Sequence, residues 1–161
     1  MTSVTVYTDG SSRGNPGPGG YGALIEFVDS MGQLHVKELS QGYEKTTNNR
    51  MELMAAIAAL EALNRPCEVS LWSDSQYLIN AFNQHWIDKW IRKNWMLSKS
   101  EPVKNADLWQ RLLRACETHH ITWNWVRGHN GHAQNERCDA LATQAADSDN
   151  LIPDPCILSG E

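Results

Sequence analysis

Two apolar runs, VTVYT and VSLWS, alternate in the manner of half-buried strands, and each is closed by an aspartate, Asp9 and Asp74. Two more acids border apolar elements. Glu52 falls in what reads as the first turn of the Ala/Leu/Met-rich pattern RMELMAAIAALEAL, and Asp139 lies midway along NERCDALATQAA. Carboxylates edging buried elements are unfavourable unless something neutralises them. Four of them converging would repel one another, and a hard divalent cation with oxygen ligands is the simplest relief. The pattern points to a metal-dependent enzyme.

The elements follow in a telling order. After the first strand comes a Gly/Pro loop, GSSRGNPGPGG, then two strand-like runs, YGALIEFV and LHVKELSQGY, joined by a turn around Asp29 to Gly32. A helix opens at TTNN and ends near Pro66; a strand over 67–73 and a short helix from Ser75 follow. Beyond a Trp- and Lys-rich segment at 85–105 lie a helix from Ala106, the strand ITWNWV, a loop and a last helix. This order predicts an α/β domain with a five-stranded mixed sheet, three antiparallel strands then two parallel, and helices on both faces. In open α/β sheets ligands bind beyond the carboxyl ends of parallel strands. Asp9 and Asp74 occupy that end, so parallel neighbours would bring their carboxylates to one site.

Each acid also has an ordinary structural role open to it. Asp9-Gly10 suits a turn, Asp74 an N-cap, and Asn49-x-x-Glu52 a capping box. Yet at 100° per residue Glu52 falls beside Ala56, Ala59 and Leu63, on the edge of the apolar stripe, whereas Glu61 faces away. Asp139 flanks the face of Cys138, Leu141, Ala142 and Ala145. Ordinary roles for all four would require four separate coincidences.

Composition bounds the rest. At 161 residues the chain reads as one domain, with no internal repeat and no apolar stretch long enough to span a membrane. Cys67, Cys116, Cys138 and Cys156 form no C-x-x-C pair, and the N-terminus leaves no room for a signal peptide; both suit a cytoplasmic protein. The net charge of −5 is unevenly spread. Residues 147–161 hold four acids, two prolines and no base, and read as a flexible acidic tail after a domain spanning 1–146. Within 85–105 five bases (Lys89, Arg92, Lys93, Lys99, Lys104) face two acids, so polyanion binding remains open.

The runs VYTDGSSRGNPGPGGYGA, TTNNRMELMAAI, SDSQYL, PVKNADLW and WVRGHNGHAQNERCDALA together resemble the bacterial type 1 ribonuclease H family, from about Val4 to Ala146. The resemblance implies a ribonuclease H-like fold and endonucleolytic hydrolysis of the RNA strand of an RNA–DNA hybrid, with little sequence preference. It implies two Mg²⁺ ions, with Mn²⁺ also supporting activity, and assigns their ligands to Asp9, Glu52, Asp74 and Asp139. The family's mobile-loop histidine corresponds to His129, expected to shuttle a proton or help product leave. Substrate contacts correspond to Asn15, Asn49, Gln76 and Asn135, and a pocket for a DNA-strand phosphate to Thr47 and Asn48. The family's basic protrusion corresponds to 85–105, where Lys89, Arg92, Lys93 and Lys104 would approach phosphates. Trp86 and Trp90, four residues apart, are expected both to stiffen the protrusion by packing and to stack on substrate. Asp88, Ile91, Met96 and Glu101 make this segment less basic than the family pattern.

His129 also fits an ordinary loop histidine; with His132 and Cys138 it lacks the fourth partner of a zinc site. Sugar kinase and actin-like ATPase folds share an Asp-Gly loop opening but need a longer, duplicated chain. The remaining alternative is a non-catalytic RNA–DNA hybrid-binding module, which a missing carboxylate would favour; none is missing. A monomer is expected.

Overall fold

The computed structural model describes residues 1–127 and 132–154. Strands β1 (Thr2–Ser12), β2 (Gly17–Val28) and β3 (Leu34–Thr46) pair antiparallel as consecutive neighbours. Helix α1 (Asn48–Glu61) then leads to β4 (Cys67–Ser73), which lies parallel to β1. Three helices follow, α2 (Gln76–Asn83), α3 (Trp86–Arg92) and α4 (Ala106–Cys116), before β5 (His120–Trp125) pairs parallel to β4. Helix α5 (Ala133–Ala146) and the short strand β6 (Leu151–Ile152) complete the order β5-β4-β1-β2-β3-β6. The mixed α/β architecture is the expected one, with β1 and β4 as parallel neighbours.

The sheet has six strands, not five. The extra one comes from the segment read as a loose tail: Leu151 and Ile152 pair parallel to Gly42 and Tyr43 of β3. What holds this segment is Asp154, 4 % exposed. It accepts from Arg50 Nε at 2.7 Å, from Arg50 Nη2 at 2.9 Å and from Thr46 Oγ1 at 2.7 Å. Arg50, 2 % exposed, also donates to both oxygens of Asp107 and to Asn105 Oδ1, so every guanidinium N–H has an acceptor. Composition alone marks an acidic, Pro-containing segment as loose; one buried arginine reverses that. Residues 155–161 lie outside the described residues.

Alternation along β1 assigns its two faces. Val4, Val6 and Thr8 turn toward the larger core, which includes α1, Leu78 and Ile79 of α2, and Leu108, Trp109 and Leu112 of α4. Tyr7 turns the other way, toward Leu24, Cys138 and Leu141 under α5. Two glycines let the helices come close. A Cβ on Gly10 would fall on the backbone of Met51 and Glu52, and one on Gly22 on the backbone of Cys138. Gly10–Ser12 and Gly17–Gly20, expected as loop, continue the strands: the ladder runs to Ser12↔Gly19. No described helix is long and apolar enough to cross a membrane.

The buried charges generate a test. Truncating one member of a buried pair leaves the other uncompensated and costs about 3 kcal/mol or more. Asp154→Ala should therefore destabilise the protein by roughly 3 kcal/mol in urea unfolding. Asp107→Ala should cost less, because the Asp107 side chain is 48 % exposed and water can replace it. Equal, small losses would contradict the anchoring of residues 147–154 through Arg50.

Candidate active site

The last register pair between β1 and β4 is Thr8↔Ser73, and the next residue on each strand is an aspartate. Contrary to expectation, Asp9 does not end its strand, since β1 continues beside β2 with Asp9 opposite Gly22. It stands where the parallel pairing stops, which places it beside Asp74. Asp74 is not the N-cap of α2 either. Ser75 fills that position, its Oγ accepting from Leu78 N at 3.1 Å. Trp125 Nε1 donates to the Asp74 carbonyl at 3.1 Å and fixes its backbone.

Glu52 approaches from α1. The capping box does not form, because the helix begins two residues earlier than that spacing requires. Thr47 is the N-cap, accepting from Arg50 N at 3.3 Å, and Glu52 lies beyond the first turn. The close passage of α1 over Gly10 brings its side chain to the strand ends. One carboxylate oxygen from each of Asp9, Glu52 and Asp74 lies within 4.8 Å of the others. Asp139 approaches from α5, outside that trio but close enough to Asp9 for its charge to raise the Asp9 pKa.

The cluster is poorly compensated. Asp9 and Glu52 are each 5 % exposed. Gly10 N donates to Asp9 Oδ1 at 2.9 Å, but Glu52 Oε1 is buried without a hydrogen-bond partner. Among the described residues, no lysine or arginine forms an ion pair with any of the four. Burial, then the charges of Asp74 and Asp139, pushes Asp9 up to about 8. Burial, then Asp9 and Asp74, raises Glu52 well above the usual carboxylate range. Oxygen donors of one sign, an orphaned buried acceptor and no protein cation are what a divalent ion would complete.

The other candidate residues divide by place. Asn15, Thr47, Asn48, Asn49 and Lys104 line a single cleft of about 710 Å³ with Pro16, Pro102, Val103 and Asn105. There the Asn48 N–H donates to Asn15 Oδ1 at 2.9 Å, tying the glycine loop to the start of α1. Gln76 is exposed at the start of α2; Asn135 is buried on α5 with its Oδ1 unpartnered. Lys89, Arg92 and Lys93 are exposed on and just after α3. Trp86 and Trp90 are half-buried in a chain of rings: Trp86–Trp90 at 6.5 Å, Trp90–Trp95 at 6.1 Å and Trp90–Trp109 at 5.3 Å. Their packing stiffens the protrusion. His129 lies outside the described residues. Sequence reasoning missed the packing of the His132 ring against Tyr7 and Trp72, which precede Asp9 and Asp74 by two residues.

A carboxyl whose pKa is raised on folding favours the fold below its unfolded pKa and loses that contribution as pH rises through the folded value. With Asp9 moved from 3.8 to about 8, the Tm of the cation-free protein should fall by several degrees between pH 5 and pH 8.5. Asp9→Asn should flatten the fall, and scanning calorimetry in a chelator reads both. A pH-independent Tm in the unsubstituted protein would contradict the crowding of these acids.

Comparison with known proteins agrees with this geometry. The RNase H family model matches residues 1–147. A curated ribonuclease H of Lachnoclostridium phytofermentans is 63 % identical over 152 residues, covering 94 % of this chain and 96 % of its own. Among solved structures, LC9-RNase H1, described as a type 1 RNase H with the type 2 active-site motif, superposes with a TM-score of 0.82 at 35 % identity. That match covers 91 % of this chain and 72 % of the other. LC11-RNase H1, solved in complex with an RNA/DNA hybrid, matches at a TM-score of 0.63 and 25 % identity, over 89 % of this chain and 96 % of its own. A family model spanning nearly the whole body, and a relative so similar from end to end, admit one conclusion: this chain belongs to the ribonuclease H family of endoribonucleases.

Proposed function

We propose that the chain cleaves the RNA strand of RNA–DNA hybrids endonucleolytically, using divalent cations, Mg²⁺ first and Mn²⁺ as a substitute, held by Asp9, Glu52, Asp74 and Asp139. The observation that carries this is the convergence of three carboxylate oxygens within 4.8 Å, one side chain among them keeping a buried, unpartnered acceptor. Bound as a pair, such cations supply an activated water and stabilise the leaving oxygen of an in-line phosphodiester displacement. Asp9, on the central strand, would be the shared ligand, with Asp74 and Asp139 on either side of it. Glu52 would orient a water or 2′-hydroxyl near the scissile phosphate. His129 would carry a proton, since imidazole titrates near neutrality.

Selecting a hybrid requires reading both strands. Short uncharged amides suit 2′-hydroxyls, and Asn15, Asn49, Gln76 and Asn135 supply them around the carboxylates. The cleft of Thr47, Asn48 and Lys104 suits a phosphate of the other strand, where deformability favours DNA. Contacts of this kind read backbone and carry little base preference. Nothing in this mechanism requires a second copy of the chain, and hybrids form in the cytoplasm, where a monomer would meet them.

The decisive assay compares labelled hybrid with double-stranded RNA, single-stranded RNA and duplex DNA, with and without EDTA. Cleavage confined to the RNA of the hybrid and abolished by chelation is the expected result. Asp74→Asn should lower kcat by about a thousandfold or more while hybrid binding survives; full activity in that variant would reject the mechanism. Reversing charge together at Lys89, Arg92 and Lys93 should raise KM about tenfold with kcat within about twofold. An equal fall in kcat would place the protrusion in the transition state instead.

A further inference from the structure

His132 carries no member of the carboxylate cluster, yet the elements bearing three of them meet at its ring. Its Nδ1 accepts the backbone N–H of Asn135 at 3.4 Å and so caps α5, the helix of Asp139. Its ring centroid lies 5.5 Å from that of Tyr7 and 6.5 Å from that of Trp72, at interplanar angles of 47° and 26°. Tyr7 and Trp72 are register partners on β1 and β4, each two residues before an aspartate of the cluster, Asp9 and Asp74. On α5, Asp139 follows His132 by seven residues. At 100° per residue that returns it to within about 20° of the same side, roughly 10 Å along the axis.

We infer that His132 is a positioning residue: by capping α5 while resting on the Tyr7–Trp72 pair, it sets how Asp139 and Asn135 meet Asp9 and Asp74. A cap alone asks only for a side-chain acceptor, and Ser, Thr, Asp or Asn provide it best. The imidazole adds a flat apolar face, which those four lack, and that face is in use against two strands. A second tie reinforces the first, since Cys138 Sγ donates to the Tyr7 carbonyl at 3.3 Å. Asn135, one turn into the helix, is thereby held buried with its Oδ1 free of any partner. Small displacements of the helix start would move its carboxylate and its amide together.

The activity readout rests on the hydrolase proposed above; the cation readout does not. His132→Asn keeps an acceptor for the Asn135 N–H and removes the ring. Trp72→Leu keeps the cap and removes part of the platform. Each should lower kcat on hybrid about tenfold with KM within about twofold. Each should also weaken Mn²⁺ binding, measured by titration calorimetry, by about fivefold. The double variant should be no worse than the worse single one, because both remove one coupling. Unchanged kcat and Mn²⁺ affinity in His132→Asn would mean that His132 is only a cap, and would overturn the inference. If that variant does not fold, unchanged values in Trp72→Leu would overturn it equally. Should the unsubstituted protein bind Mn²⁺ without cleaving hybrid, the hydrolase fails, and Mn²⁺ affinity in His132→Asn still decides the role of His132.

Discussion

Mutual repulsion among acids withdrawn from water is the constraint around which this structure is arranged. Asp9 and Glu52 are buried beside Asp74 and Asp139, and no described lysine or arginine pairs with them. Left alone, such a cluster resolves its strain by keeping protons, which is the meaning of the upward shifts at Asp9 and Glu52. A divalent cation resolves it differently, by exchanging those protons for a shared positive charge. The scaffold makes the crowding unavoidable. Parallel pairing of β1 with β4 aligns Asp9 and Asp74, and Gly10 and Gly22 let α1 and α5 bring further carboxylates in from opposite faces of the sheet.

The chain handles its other buried charge in the opposite way. Arg50, at 2 % exposure, has every donor satisfied by Asp154, Asp107 and Asn105. It therefore acts as a fastener, joining α1, the start of α4 and the segment after α5. Asn105 also lines the cleft that contains Thr47 and Asn48, so this fastener holds one wall of the proposed phosphate pocket. Full pairing on one side of α1 gives rigidity; incomplete pairing on the other leaves room for ions.

Much of this was legible from residue order. Acids closing VTVYT and VSLWS pointed to the strand ends, and Ala-rich spacing placed Glu52 on the buried edge of its helix. The same spacing turns Glu61 outward, and it pairs with Arg111 at the surface. What stayed hidden depends on contacts between residues distant in sequence. Gly17–Gly20 reads as loop because glycine weakens strands, yet here its missing side chain is what strand and helix need. Asp154 reads as tail until Arg50 is known to lie beside it. The capping box fails for a local reason: Thr47 is also a good cap, and spacing cannot choose between Thr47 and Asn49. Sequence spacing assigns Trp86 and Trp90 both support and substrate stacking; the support is visible in the packing of Trp86 on Trp90 and of Trp90 on Trp109.

The most direct measurement is an anomalous-scattering map from crystals grown with Mn²⁺. Metal density bounded by the carboxylate oxygens of Asp9, Glu52 and Asp74, with Asp139 beside it, is the expected result. A map with no peak there, or a lysine or arginine side chain folded into that space instead, would contradict the idea that these acids are gathered to hold cations.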